Sequence, residues 1–176
     1  MLTISNQKHS IIYRTTSKNI VKSMGFTVIV NETKVKFSAC HFLKDHYKCS
    51  RLHGHNYYVS VEISDHLNEN YFVVDFMDLK KELKKIVNNM DHYILVPTEA
   101  PEIEITEYQD NSEVEIKHSQ KRYILPKEDI CFLPLPATTS ELLAKYIHDK
   151  LKEIFPKKKI AVKVGESKST MALYEE

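Results

Sequence analysis

The sequence predicts an α+β fold: an antiparallel four-stranded sheet with two helices on one face. Three observations predict it. Segments in which apolar and polar side chains alternate lie near both ends of the chain. Two segments with apolar residues at helical spacing lie between them, and an acidic stretch separates these two predicted helices. Strands that follow one another pair antiparallel, and helices grouped between them cover one face of the resulting sheet.

The four strands are predicted from alternation. Residues 26–37 carry apolar side chains at every second position with one interruption, which indicates a strand pair or one long bent strand. Residues 56–64 alternate in the same way and are rich in β-branched and aromatic side chains. Residues 159–165 and 170–174 form the closing pair. The edges of such a small sheet would lack partners, so we expect an oligomer that pairs or covers them.

Both helices carry start signals. Asp75 stands where an N-cap belongs, and the apolar residues of 76–90 recur at helical spacing with lysines between them. Thr138 and Glu141 have the spacing of a capping box, and the helix that follows ends at Pro156. We therefore expect two amphipathic helices on one face of the sheet.

Two segments lie outside this predicted core. Residues 98–129 are acidic and hold two alternating runs around an Asp-Asn-Ser turn, which predicts a β-hairpin inside an insertion of about 97–136. Residues 1–23 contain basic but no acidic side chains. This extension is interpreted as disordered, as a transit peptide, or as the product of a start codon placed too early, with Met24 as the true beginning. Residues 24–176 are then one catalytic domain.

Composition excludes several classes of protein. The 176 residues are 42% hydrophobic and carry a formal net charge of +1, which suits one globular domain and argues against a surface that neutralises many phosphates. We expect no nucleic-acid partner. No apolar run approaches the roughly 20 residues that span a bilayer, so we expect no membrane partner and a cytoplasmic location. The three cysteines form no Cys-x-x-Cys pair and are read as reduced thiols.

Metal-capable side chains are concentrated between residues 37 and 57. His53 and His55 are two residues apart, so both imidazoles leave the same face of an extended segment. If the first two strands pair antiparallel, the chain returns these two beside His41. Three neutral imidazoles with an open fourth position are typical of catalytic Zn²⁺. Two alternatives remain open at this point: Cys49 closes a structural site, or these are ordinary polar residues of a turn.

Other candidate groups are scattered singly. Asp91 and His92 are adjacent at a helix end, where they form either a pair that orients a proton acceptor or a simple charged terminus. Cys49 lies among basic residues and near the predicted dication, which favours a thiolate suited to a base or nucleophile. Glu166 follows a strand, where its carboxylate either accepts the paired N–H donors of a guanine-like ring edge or is merely solvated.

The order of these motifs resembles the 6-pyruvoyl-tetrahydropterin synthase and 6-carboxy-tetrahydropterin synthase family over about 26–174, apart from the insertion. The motifs are Phe-Ser-Ala-Cys-His ending at His41, Cys49 with Leu-His-Gly-His at 52–55, Val-Asp-Phe at 74–76, Asp91-His92, Thr-Thr-Ser-Glu at 138–141, and Glu166. The resemblance implies the tunnelling fold, in which subunits assemble into a barrel, commonly a homohexamer built as a dimer of trimers. Active sites would then lie at subunit interfaces.

The resemblance also implies a role for each candidate. Zn²⁺ would be held by His41, His53 and His55. Cys49 would be the general base, supported by Asp91 and His92 from its own or a neighbouring subunit. The pterin would be anchored by Glu166 with help from Thr138 and Thr139.

The implied substrate is 7,8-dihydroneopterin triphosphate. Side-chain cleavage would release acetaldehyde and triphosphate and give the 6-carboxy product that feeds queuosine and archaeosine synthesis, whereas internal redox would give the 6-pyruvoyl product of the biopterin type. Three residues separate Cys49 from His-Gly-His, which resembles the carboxy type, because biopterin-type members usually have a longer gap. Cys49 argues against a third, aldolase-like group with an acidic residue near that position. A non-catalytic zinc- and pterin-binding protein is the alternative from another class.

Overall fold

A computed structural model of the chain describes residues 25–31, 35–44, 46–109 and 112–176. The predicted extension at 1–23 lies outside the described residues. The strands are β1 Gly25–Val30, β2 Lys36–His41, β3 His53–His66, β4 Ile94–Pro97, β5 Ile103–Glu107, β6 Glu113–His118, β7 Lys121–Pro126, β8 Ile130–Leu133, β9 Lys159–Gly165 and β10 Ala172–Glu175. The helices are α1 Phe76–Asn88 and α2 Ser140–Ile154, and neither is long and apolar enough to cross a membrane.

The main sheet is organised around β3, a strand of 14 residues. β2 pairs antiparallel with its first half, β1 with its second half, and β9 along its other edge. β10 extends the sheet beyond β9, and β4 and β8 extend it beyond β2 through parallel pairs. The α+β class is confirmed, but the prediction of four strands is too low, since this sheet has seven.

The two extra parallel strands escape sequence prediction for a physical reason. β4 and β8 are four residues each and are mostly apolar without alternation. Strands covered on both faces have such continuous apolar runs, and periodicity does not distinguish a run of this length from a buried turn or helix segment.

Both helices pack as expected, with one shift at a boundary. The Asp75 side chain accepts the Met77 N–H at 2.7 Å, which confirms the N-cap of α1. The N-cap of α2 is Thr139, whose hydroxyl accepts the Leu142 N–H at 3.4 Å, so the capping-box assignment to Thr138 is wrong by one residue. α2 packs on β9 and β10, and α1 packs against α2. Together they bury the apolar face of the main sheet.

The insertion is a separate three-stranded sheet in the order β5-β6-β7. The predicted hairpin is present as the antiparallel pair of β5 and β6, and β7 is a third strand that the sequence interpretation missed. An apolar cluster separate from the main core joins this sheet to β4, to β8 and to the segment after β2, with Phe42, Val96, Val114, Ile116 and Ile130 as its buried members. The insertion therefore packs on the main sheet beside the segment that follows His41.

Candidate active site

Three histidines meet where β2 and β3 begin to separate. His41 is paired with His53 across the ladder, and His55 is two residues further along β3, so all three imidazoles leave the same face of the sheet. One nitrogen from each ring lies within 4.8 Å of the others. The structure thus brings together the three side chains that the sequence places at one point.

The rings are held so that their free nitrogens point at that common position. His41 Nδ1 lies 3.0 Å from the Thr138 carbonyl oxygen, and His53 Nδ1 lies 2.7 Å from the Arg51 carbonyl oxygen. Because a carbonyl only accepts, each Nδ1 carries the proton and each Nε2 presents a lone pair. The Nε2 atoms of His41, His53 and His55 are buried and have no hydrogen-bond partner among the residues that the structure describes. Such an arrangement fits a metal ion whose ligands are oriented through backbone carbonyls.

The protonation state of His41 also suits a metal ligand. Burial, reinforced by His53 and His55, lowers the pKa of His41 to about 4, against the opposing effect of its hydrogen bond with the Thr138 carbonyl. The ring is therefore neutral near pH 7, which is the form that binds a metal ion. Within the described part of the chain the cluster contains imidazoles only and no thiolate. This composition favours an open, catalytic type of site over a structural site closed by Cys49.

Glu166 lies at the mouth of this cluster. Its Oε2 is 3.5 Å from His55 Nε2 and its Oε1 is 3.8 Å from His41 Nε2. The same carboxylate lines an open cleft together with Thr139, Glu141 and Thr170. Glu166 therefore lies between this cleft and the three imidazoles, so a ligand in the cleft that contacts the carboxylate is also close to the histidine cluster.

Gly165 lets the chain fold back sharply before Glu166. A Cβ at this position would collide with the Thr170 carbonyl oxygen. We therefore expect Gly165→Ala to lower the free energy of unfolding by about 1–3 kcal/mol, as overpacking does, and to displace Glu166. Urea unfolding measures the change. Gly25→Ala is the matched control because no atom of the described residues lies within 4 Å of a Cβ there, and equal stability of the two variants would contradict the predicted collision.

The two threonines before α2 have different positions. Thr138 is fully buried, with its hydroxyl 3.3 Å from His41 Nδ1, so it holds the imidazole and is not part of the open cleft. Thr139 caps α2 and reaches that cleft. A role for Thr139 in substrate binding stays a prediction. The buried position of Thr138 supports a role in orienting the His41 ring.

Tyr57 is a site residue that sequence reasoning missed. Its hydroxyl is buried and has no hydrogen-bond partner in the described ranges of the chain, and its ring lies 5.7 Å from the ring of His55. Burial first, and then the nearby charges of Glu166, Cys40 and Cys49, raise the pKa of Tyr57. The available signal was its spacing, because Tyr57 continues the i, i+2 series of His53 and His55 on the same face of β3.

Cys49 lies on the segment 42–52 that connects β2 to β3, which we call the Cys49 loop. The side chain is half-buried. Its backbone N–H donates to His46 Nδ1 at 3.1 Å, and its carbonyl oxygen accepts the Leu43 N–H at 2.7 Å. The loop is thus a compact turn that begins and ends beside two histidines of the cluster.

Asp91 and His92 form a pair at the edge of β2. Asp91 Oδ1 accepts the Ser38 N–H at 2.8 Å, and this bond, with a smaller contribution from His92, lowers the pKa of Asp91. His92 Nδ1 lies 2.9 Å from Asp91 Oδ2, and the ring is 80% exposed. It opens onto a cleft whose lining includes Ser38, Cys40 and His55. Among the described residues, however, neither side chain of the pair forms a hydrogen bond or an ion pair with the three histidines.

Comparison with known proteins identifies the family. The family model described as PTPS, 6-pyruvoyl tetrahydropterin synthase, matches residues 31–176. The chain belongs to this family. Members are pterin synthases, so the chain is an enzyme, a lyase, and its substrate is a pterin.

Relatives of this pterin synthase carry two names. The chain is 35% identical over 125 residues (68% of it and 76% of the relative) to a Methanocaldococcus jannaschii protein provisionally named 6-carboxy-5,6,7,8-tetrahydropterin synthase. It is 31% identical over 147 residues (80% and 94%) to the Haemophilus influenzae protein named 6-carboxy-5,6,7,8-tetrahydropterin synthase. Among solved structures, Plasmodium vivax 6-pyruvoyl tetrahydropterin synthase matches with a TM-score of 0.79 and 25% identity over 88% of this chain and 99% of that one. The likeness confirms the tunnelling fold.

Two further structures of the Plasmodium vivax enzyme are of variants at a glutamate described as a catalytic residue, replaced by alanine or cysteine.

Proposed function

We propose that this pterin synthase is a zinc-dependent 6-carboxy-5,6,7,8-tetrahydropterin synthase. With the uptake of one water, it converts 7,8-dihydroneopterin triphosphate to 6-carboxy-5,6,7,8-tetrahydropterin with release of acetaldehyde and triphosphate, a step toward 7-deazapurines such as queuosine and archaeosine. The observation that carries the proposal is the group of three buried imidazole nitrogens that form no hydrogen bond within the described part of the chain, with the Glu166 carboxylate 3.5 Å from one of them. The names of the Methanocaldococcus and Haemophilus relatives and the short spacing from Cys49 to His53 support the carboxy product.

The histidine cluster and Glu166 are assigned to adjacent parts of the substrate, since the carboxylate lies beside two of the imidazole nitrogens. His41, His53 and His55 would hold Zn²⁺, which when bound supplies a Lewis acid for the side-chain oxygens of the substrate. Glu166 accepts N–H donors of the pterin ring, since an ionised carboxylate has two acceptor oxygens. A ligand held by both groups has its reacting side chain in a defined orientation, which is where much of the rate enhancement of an enzyme arises.

Proton transfer is assigned to Cys49 with the Asp91–His92 pair. Asp91 accepts from His92 Nδ1, so His92 Nε2 is left as a proton acceptor. Because the pair forms no hydrogen bond or ion pair with the histidine cluster or with Cys49 of its own subunit among the described residues, we assign it to the Cys49 of a neighbouring subunit. The active enzyme is then a homo-oligomer, proposed as a hexamer built from two trimers, and an isolated subunit lacks a complete site.

Glu166→Gln tests the pterin anchor. The neutral amide loses the charge-assisted bonds to the ring, which are worth about 1.5–3 kcal/mol each, so we expect KM to rise about 10- to 100-fold. Zinc content should stay at the wild-type value. The matched control is Glu153→Gln, a carboxylate of α2 that pairs with Lys150 and does not line this cleft. An unchanged KM for Glu166→Gln would remove Glu166 from the binding site.

A second candidate function is 6-pyruvoyl-tetrahydropterin synthesis, favoured by the likeness to the Plasmodium vivax enzyme. Incubation of the purified, metal-analysed protein with 7,8-dihydroneopterin triphosphate separates the two. Mass spectrometry follows the pterins and a coupled assay follows acetaldehyde. We expect the carboxy product and acetaldehyde in equal amounts. The pyruvoyl product without acetaldehyde would replace the proposal by the second candidate, and no product with full zinc occupancy would indicate a pterin-binding protein.

A further inference from the structure

The inserted sheet makes direct contact with the Cys49 loop. The end of β6 and the start of β7 are joined by the two-residue turn 119–120, so His118 and Lys121 face each other as the last pair of the ladder. Residues directly opposite in an antiparallel pair lie on the same face of the sheet. This arrangement places one imidazole and one ammonium side by side at the tip of the insertion.

Both groups bind the residue that follows Cys49. Lys121 Nζ donates to the Ser50 carbonyl oxygen and, at 3.2 Å, to Ser50 Oγ. His118 Nε2 lies 3.4 Å from the same carbonyl oxygen. Since that oxygen only accepts, the His118 proton is on Nε2, and the Nδ1 lone pair faces the Ser119 hydroxyl at 3.4 Å. The Ser50 carbonyl is therefore held by two donors that lie 68 and 71 positions further along the chain.

The beginning of the loop is fixed by the same sheet. The ring of Phe42 stacks on His118 with centroids 4.8 Å apart and planes inclined by 14°. Lys44 pairs with Glu102 at 3.1 Å, just before β5. The inserted sheet thus contacts the Cys49 loop on both sides of the cysteine, and Phe42 and His118 are both almost fully buried.

We propose that the inserted sheet is a brace that positions the Cys49 thiol, with Lys121 as the principal positioning residue. The role assigned to Cys49 rests on the proposed function, whereas the brace itself is a statement about loop order. Lys121 does not touch the three histidines in this arrangement and is not assigned to the substrate. Its ammonium donates to the Ser50 carbonyl oxygen. Ser50 directly follows Cys49, so fixing Ser50 also fixes the backbone from which the thiol side chain extends.

Lys121→Met tests the brace because methionine keeps most of the side-chain volume and removes the donor. We expect kcat to fall about 10- to 100-fold, as displacement of a reacting group by about 1 Å does, with KM unchanged and zinc content unchanged. Lys121→Arg, which keeps a donor, should restore most of kcat. Arg122→Met is the matched control: it removes the same charge from the next residue of β7, whose partner is Glu115 in the inserted sheet itself.

A second readout does not depend on turnover. Iodoacetamide alkylation of the zinc-loaded protein, followed peptide by peptide in a mass spectrometer, reports how well the loop covers Cys49. We expect alkylation of Cys49 to accelerate at least about threefold in Lys121→Met, because loss of a brace raises the population of open loop conformations. Cys131 is the internal reference, since burial raises the pKa of its thiol and the brace does not contact it.

The outcomes are separable. Faster alkylation and lower kcat in Lys121→Met, with wild-type behaviour in Arg122→Met, support the brace. Unchanged alkylation would overturn it, and so would a higher KM with unchanged kcat, which would make Lys121 a substrate contact. If the wild-type enzyme forms no product, the proposed function fails, but the alkylation rates still decide whether the insertion orders the loop.

Discussion

Replacement of Cys49 by alanine is expected to lower kcat by about 10²- to 10⁴-fold, the usual contribution of a general base. Metal content and pterin affinity should remain at the wild-type level, because the histidine cluster contains no thiolate and Glu166 is on another segment. Steady-state kinetics with metal analysis and ligand titration measure all three. The variant therefore separates proton transfer from binding.

Cys131→Ala is the matched control for this change. Cys131 is also a half-buried free thiol, and it packs against the main core away from the histidine cluster. We expect its turnover to stay close to wild type. If Cys49→Ala retains full turnover, Cys49 is not the base, and the open cleft and Tyr57 become the places to search for another proton acceptor.

His53→Ala is expected to abolish zinc retention. Two of the three imidazoles remain, which leaves fewer protein ligands than catalytic zinc sites normally have. Loss of the Lewis acid removes several kcal/mol of transition-state stabilisation, so kcat/KM should fall at least about 10³-fold. Metal analysis after gel filtration and the shift of Tm on zinc addition check the site without any activity assay, because a ligand that binds only the folded state raises Tm.

His66→Ala is the control for the loss of an imidazole from the same strand. His66 is exposed at the far end of β3, and we expect it to keep both zinc and Tm. His53 is a better target than His41, because His41 is fully buried against Thr138 and its removal would also leave a cavity. Full zinc occupancy in His53→Ala would show that the three histidines are not the metal site.

Much of the fold could be predicted from local sequence patterns. Alternation predicted the first strands and the closing pair, and Asp75 with helical spacing predicted α1, because these signals depend on neighbours within a few residues. The start of α2 was misassigned to Thr138 because two adjacent threonines offer the same capping chemistry. Only packing decides between them: the Thr138 hydroxyl is directed toward His41, and Thr139 is left to cap the helix.

By itself, the sequence determined the metal-capable cluster of this pterin synthase. His53 and His55 share a face because strand geometry has a period of two, and antiparallel pairing returns His41 to them. Only the tertiary structure decided that the Asp91–His92 pair bonds to the backbone of Ser38, that β4 and β8 extend the main sheet as parallel strands, and that Lys121 holds the Ser50 carbonyl. These contacts join residues tens of positions apart in the chain, and long-range packing leaves no periodic trace in the sequence.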